Sequence, residues 1–333
     1  MILPKRSLQL VLKVQLWNDT ERREEETMAR TSARTADRKQ TQGQVKRGSV
    51  GDDARERLLA GLPVTERRIR LAGISTAMLE GGDGPPLVLL HGPGEYAAKW
   101  MRVIPDLVTT HRVVAPDLPA HGASEAPDAG MEAERVLAWL DELIEHTCSS
   151  PPALVGQILG GAIAARFASR WSDRLARLVL VDALGLSPFQ PAPEFGLALT
   201  EFMAGPSEDT HDGLWRRCAF DLDRLRDAMG ESWEWVKAYN LDRARTASLR
   251  AGQQSLMAEF GMTAIPAEDL AQITVPTTLI WGRHDLATRL EIAEAASARY
   301  GWPLQVIDDA ADDPPLEQPK AFLKALRGTL RNS

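Results

Sequence analysis

Residues 153–168 read Ala153-Leu154-Val155-Gly156-Gln157-Ile158-Leu159-Gly160-Gly161-Ala162-Ile163-Ala164-Ala165-Arg166-Phe167-Ala168. Ala153–Val155 is a short apolar strand, glycines frame a sharp turn, and small residues open a helix at Leu159. Glycines at such a turn let two backbones approach where a side chain would collide. The centre of the frame Gly156-Gln157-Ile158-Leu159-Gly160 is Ile158, which has no nucleophilic atom and no exchangeable proton.

Strands and helices alternate outward from this turn. Upstream, Arg68–Leu71 and Thr76–Leu79 form two short strands joined at Ala72-Gly73. Leu87–Leu90 is a continuous apolar run, the mark of a strand covered on both faces, and it ends in His91-Gly92-Pro93-Gly94. A helix is expected over Ala97–Val108, then a strand over Arg112–Ala115 ending at Pro116-Asp117-Leu118-Pro119-Ala120-His121-Gly122-Ala123-Ser124. Val136, Leu137, Leu140, Leu143 and Ile144 have helical spacing within Glu132–His146.

Downstream, the strand Leu178–Val181 ends in Asp182, and Thr277–Trp281 leads into Gly282-Arg283-His284-Asp285. A helix over Arg289–Arg299, a strand over Leu304–Ile307, a loop over Asp308–Pro315 and a helix from Gln318 to Leu330 complete the pattern. Between Asp182 and Thr277 the alternation pauses. Residues 186–265 are rich in helix formers and contain Trp215, Trp233 and Trp235, which reads as a helical cap inserted into an α/β core of 61–185 and 266–333. The fold class is thus α/β, a mostly parallel doubly wound sheet with a helical cap. In such sheets ligands bind beyond the carboxyl ends of the strands, where the loops above converge.

Residues 1–60 differ. Leu8, Leu10, Leu12, Val14 and Leu16 alternate as in a strand, but Asn18–Arg57 has almost no large apolar residues. Such a segment buries too little surface to offset its ordering entropy, so a polar extension, mobile or peripherally docked, is expected. Met28 inside it offers a second start for translation. Lys5 and Arg6 precede Leu8–Trp17 as in a signal peptide, but Gln9, Lys13 and Gln15 interrupt the run and no small-residue cleavage site follows. Two cysteines, Cys148 and Cys218, imply free thiols and fit a reducing cytoplasm. A formal charge of −7 without a basic stripe argues against nucleic acid, and no apolar run has the length of a membrane span. No signal for an oligomeric state is present.

Taken in order, these motifs resemble the α/β-hydrolase superfamily over residues 65–330, in the style of capped bacterial esterases, epoxide hydrolases and carbon–carbon bond hydrolases. The resemblance implies that Ile158 stands at the nucleophile position of a G-x-S-x-G elbow. It implies that Asp285 is the triad acid, and that Asp312 in Ala311-Asp312-Asp313-Pro314 replaces the histidine base. No histidine follows His284. The residue after His-Gly, expected to give an oxyanion amide, is Pro93, which has no N–H, so Gly94 takes over if the loop shifts by one residue. The second amide is that of Leu159.

A serine esterase is therefore not expected, nor an aspartate-nucleophile enzyme, which needs Asp at 158. By this fold analogy Asp285 and Asp312 approach each other. Two close carboxylates do not both ionise cheaply, so one becomes a general acid; the alternative is that Asp312 is one solvated residue of an acidic loop. Ile158 fills the place of the lost serine or floors an apolar pocket; Gln157 donates to a ligand or to nearby backbone. His91, Pro93 and Gln157 are pocket candidates, with a structural hydrogen bond the expected role of His91 and of His121. Asp117 and Asp182 are read as ties between strand-end loops, and His211 as a cap residue. No histidine has metal-ligand spacing, and neither metal nor cofactor is expected.

The favoured function is an enzyme acting on a small hydrophobic organic molecule without a covalent intermediate, by hydration, elimination, isomerisation or cyclisation. The alternatives are an inactive ligand-binding or receptor-like relative, and a hydrolase whose nucleophile has moved.

Overall fold

The computed structural model describes residues 49–126 and 131–331. The strand expected near residues 8–16 and the start at Met28 lie outside them. Among the described residues eight strands form one sheet: β1 (Thr65–Leu71), β2 (Ile74–Gly81), β3 (Pro86–Leu90), β4 (Arg112–Pro116), β5 (Ala153–Gln157), β6 (Arg177–Val181), β7 (Thr277–Gly282) and β8 (Leu304–Ile307). Their spatial order is β1-β2-β4-β3-β5-β6-β7-β8. The pairs β1–β2 and β2–β4 are antiparallel, and the others are parallel. Register aligns Leu90 with Gly156, Gln157 with Val181, Val181 with Ile280 and Gly282 with Ile307. The loops after β3, β5, β6, β7 and β8 therefore leave the sheet along one edge.

The apolar runs explain why the central strands lie inside: every residue of β3, β5 and β7 is buried. One face packs against α2 (Ala133–Thr147), α3 (Leu159–Arg170) and α9 (Leu290–Tyr300). The other packs against Trp100, Ile104 and α10 (Pro319–Arg331). The buried stripe of α2 contains the expected Val136, Leu137, Leu140, Leu143 and Ile144. Gly301, left-handed at φ 72°, ends α9.

The helix expected over Ala97–Val108 is instead a 3₁₀ turn, Ala97–Arg102, followed by a single α-turn, Ile104–Leu107. Pro105 explains the break: its ring has no N–H to continue the hydrogen-bond ladder from the preceding turn, so it sits in the first turn of a new one.

Between β6 and β7 lie α4 (Pro193–Ala204), α5 (Glu208–Cys218), α6 (Leu222–Met229), α7 (Glu231–Arg245) and α8 (Ala247–Leu256). The Ile265 amide donates to the Gly185 carbonyl at 2.8 Å, which draws the two ends of this segment together.

The extension expected over residues 1–60 is described from Ser49 onward, and there it is neither mobile nor loosely docked. Its last part forms α1 (Val50–Leu59), started by Ser49 and Asp52 in reciprocal hydrogen bonds. Asp52 pairs with Arg243 of α7, and the Ser49 hydroxyl donates to Asp242 at 3.1 Å. Arg55 points inward and bridges Asp117 at 3.0 Å and Glu66 at 3.1 Å. Among the described residues no helix is long and apolar enough to cross a membrane.

Candidate active site

The turn after β5 puts Ile158 at φ 46° and ψ −105°, at the head of α3. That conformation is unusual for a β-branched residue, and close packing holds it. A Cβ on Gly156 would lie 2.4 Å from the Gly160 carbonyl oxygen, and one on Gly160 would lie 2.5 Å from that of Leu90. The Ile158 amide donates to Val181, and the Ile158 carbonyl accepts from Leu184, each at 3.0 Å. The elbow backbone is thus intact, with an apolar side chain that is 8% exposed at its apex. Leu159 is the first residue of α3, where amides have no partner inside the helix.

Asp285 and Asp312, the sequence's two catalytic candidates, are both buried. Asp285 accepts from the amides of Ala287 at 2.6 Å and Thr288 at 2.9 Å, and from the Thr288 hydroxyl at 2.5 Å. Burial nevertheless pushes its pKa up to about 6. Burial raises Asp312 well above the carboxylate range, reinforced by the nearby charges of Asp285 and Asp313. The two side chains thus feel each other electrostatically. Asp182, also buried, is raised by burial and by Asp285. Its Oδ1 accepts from the Gly282 amide at 2.8 Å, tying the end of β6 to β7.

The Asp312 loop is pinned from two sides. Its amide donates to the Cys218 carbonyl at 3.1 Å, and its carbonyl accepts from Gln157 Nε2 at 2.7 Å. Gln157 therefore bonds to backbone, the structural one of its two expected roles. The Cys218 thiol faces the Asp312 carboxyl; burial and that carboxyl push its pKa well above the ordinary thiol value.

After β3, His91 accepts from the Leu118 amide at Nε2 (3.0 Å) and pairs its Nδ1 with the Gly92 carbonyl (2.7 Å). The proton therefore belongs on Nδ1. Burial, with His121 beside it, pushes the His91 pKa far below the ordinary imidazole value. It is a structural residue of the loop. Gly94 is left-handed at φ 72°, with nothing within 4 Å of the place a Cβ would take.

The next residues carry a network that the sequence reading passed over. Glu95 accepts from the Gly92 amide at 2.8 Å and from Lys99 at 2.7 Å, and Lys99 also reaches Asp313 at 2.9 Å. Burial alone would lower the Lys99 pKa, yet Asp313 and Glu95 hold it above its ordinary value. The Glu95 carboxylate borders the elbow: a Cβ on Gly92 would lie 2.8 Å from Glu95 Oε2 and 3.4 Å from Ile158 Cδ1. The available signal was the i, i+4 pair Glu95/Lys99 just past the His-Gly turn.

The remaining histidines lie elsewhere. His211 packs among Phe202, Trp215 and Trp233, and His284 stacks on Phe220 with ring centroids 4.5 Å apart. Among the described residues no three His, Cys, Asp or Glu side chains are placed to hold a metal ion. A groove of about 710 Å³ opens between the end of α5 and the loop after β7 and reaches Asp285; its lining does not include Ile158.

The sequence profile of a family described as alpha/beta hydrolase fold matches residues 85–318. A pimeloyl-[acyl-carrier protein] methyl ester esterase of Aeromonas hydrophila is 27% identical over 259 residues, 76% of this chain and 98% of the esterase. A 2-hydroxy-6-oxo-6-(2'-aminophenyl)hexa-2,4-dienoic acid hydrolase of Metapseudomonas resinovorans is 27% identical over 254 residues, 74% of this chain and 81% of that one. Among solved structures, a bacterial membrane phospholipase A superposes with a TM-score of 0.73 at 22% identity, over 85% of this chain and 92% of that one. A Rhodococcus 2-hydroxy-6-oxo-6-phenylhexa-2,4-dienoate hydrolase gives 0.71 at 24% identity, over 80% and 99%. At these identities the structural likeness speaks for the fold.

Proposed function

The chain belongs to the alpha/beta hydrolase fold family, and within it we propose an enzyme that acts on a small organic molecule by acid–base catalysis from buried carboxylates. No covalent enzyme intermediate is formed, because Ile158 has no nucleophilic atom. What supports this reading is the Asp312 carboxyl, buried in the loop after β8, with its pKa raised by burial and by the charge of Asp285. Two carboxyl groups whose environments separate their pKa values divide the work of acid and base. Asp312, held protonated by burial and by the charges of neighbouring carboxylates, gives its proton to the substrate; Asp285, with a pKa near 6, takes a proton from the substrate as the carboxylate. The Leu159 amide stabilises a developing oxyanion. Hydration, elimination, isomerisation and cyclisation all fit this machinery.

A ligand-binding role without turnover has one observation in its favour. Glu95 takes the Gly92 amide and Pro93 has none, so two successive positions of the oxyanion loop have nothing to offer. A relocated nucleophile is the weakest reading, since the buried Cys218 thiol resists ionisation.

The test is a panel of esters, lactones, epoxides and oxo-dienoic acids, run on the parent chain and on Asp312→Asn. Turnover that falls at least about 100-fold in the variant, with no mass adduct on the enzyme, is expected. Unchanged turnover in Asp312→Asn, or a trapped acyl-enzyme, overturns the proposal. Saturable binding with no turnover of any compound favours the second reading.

A further inference from the structure

The groove beside Asp285 is lined by several cationic side chains. Arg216 and Arg217, in the last turn of α5, form one wall; Arg283, His284 and Arg289, after β7, form the other. Four guanidinium groups gather here on a chain whose formal charge is −7. Glu291 and the buried Asp285 are the acidic groups of the lining. Arg283 pairs with Asp308 at 2.6 Å, and Arg217 donates to the Gly213 carbonyl at 3.3 Å. The guanidinium groups of Arg216 and Arg289 have no ion-pair or hydrogen-bond partner among the described residues.

Helix stability accounts for only half of this cluster. Cations at the C-terminal end of α5 complement its dipole, but Arg289 is the N-cap of α9, where the positive end of the helix disfavours a cation. Like charges facing each other across a groove are relieved by an anion between them. The guanidinium fork meets carboxylate or phosphate oxygens two at a time. The volume, about 710 Å³, lies within the range of small-molecule sites, about 300–1,000 Å³. Ala219 and Asp285 are buried residues of the lining, and the stacked Phe220 and His284 add an aromatic face.

We propose that this groove binds the oxyanion group, carboxylate or phosphate, of a small organic molecule through Arg216, Arg283 and Arg289, with the body of the molecule directed towards Asp285. The anion belongs away from Asp285, whose oxygens already accept three hydrogen bonds. The direction of the body rests on the acid–base function proposed above; the anion site does not.

Calorimetric titration of the full chain at low ionic strength, with pyrophosphate and with citrate as probes, tests the site. Saturable binding of at least one probe is expected, weakened about tenfold or more in Arg216→Gln/Arg289→Gln and unchanged in Arg170→Gln on α3. The tighter probe tells phosphate from carboxylate. Absence of saturable binding, binding that survives the double substitution, or an equal loss in Arg170→Gln overturns the proposal. Once a substrate is in hand, the double variant should raise KM and leave kcat unchanged, and an unchanged KM overturns the substrate-anchoring part. Asp312→Asn leaves anion binding intact, so failure of the acid–base reading and failure of the anion site are separately visible.

Discussion

Ile158 holds a backbone conformation that costs an L residue about 1–3 kcal/mol, and burial of its side chain returns about 1.5–3 kcal/mol. The two terms nearly cancel. Ile158→Gly should therefore change the unfolding free energy by less than about 2 kcal/mol, whereas Leu159→Ala, buried next to it in unstrained helix, should cost about 2–5 kcal/mol. Urea denaturation of the two variants checks this, and a larger loss from Ile158→Gly contradicts it. At Asp285 and Asp312 the folded chain binds protons more tightly than the unfolded one, because both pKa values are raised. This contribution is present in full below the ordinary carboxylate pKa and is lost as pH rises through about 6 for Asp285, and higher for Asp312. For Asp285 it has an upper bound of about 3 kcal/mol. Asp312→Asn removes the repulsion without a change of shape. It should melt a few degrees above the parent at about pH 8, with the gap closing near pH 5. A gap that widens towards pH 5 contradicts the sign.

Helix α1 shows what a single charged residue can do for an element. Its sequence, Val-Gly-Asp-Asp-Ala-Arg-Glu-Arg-Leu-Leu, has only a short apolar stripe. Yet Ala54 and Leu58 pack with Tyr96, Val236 and Tyr239, and Arg55 joins the Asp117 loop and strand β1. Asp117 is wholly buried and also accepts from the amides of Ala97 and Ala123 at 2.8 Å. Removal of the cation strands a buried carboxylate, so Arg55→Ala should cost about 3–5 kcal/mol. Arg55→Ala/Asp117→Asn should cost less than the sum of the two single changes, by thermal or denaturant unfolding. Additive losses would mean that the ion pair carries no coupling. Helix α1 was hidden in the sequence because an arginine reads as solvent-exposed until its partners are known, and Asp117 is remote along the chain. The central strands were legible because burial on both faces demands unbroken apolar runs. That a turn to a helix follows β5, that Asp285 follows β7 and that Asp312 follows β8 was legible from the alternation of strands and loops. The Glu95–Lys99–Asp313 network was not, since Lys99 and Asp313 meet across 214 positions of sequence and only the fold brings them together.

At the scale of the whole molecule the proposed site depends on the convergence of separate loops. The loop after β5 presents Ile158, the loop after β8 presents Asp312, and the loop after β3 presents Pro93 and closes the Gly92 amide with Glu95. The scaffold beneath them is retained. The elbow keeps its close glycine contacts, Gln157 still fastens the Asp312 loop, and Asp285 keeps its hydrogen bonds from Ala287 and Thr288. Ile158→Ser/Asp312→His should therefore fold. On the reading proposed above, the new histidine would stand near Asp285, which would orient it as the acid of a triad. Even so, hydrolysis of a p-nitrophenyl ester should stay near background, because the oxyanion would meet the Leu159 amide alone. One missing oxyanion donor costs about 100- to 1,000-fold in rate. Adding Pro93→Gly restores an N–H at that position, and the triple variant should exceed the double by about that factor, with a burst of p-nitrophenol marking the acyl-enzyme. Circular dichroism on both variants separates a folding failure from a chemical one. If the double variant is already an efficient esterase, Pro93 is not the obstacle, and Gly94 serves in its place. If both variants fold and neither turns over the ester, the Glu95 carboxylate beside Ile158 is the remaining obstacle, and Glu95→Gln in the triple background should then release the activity.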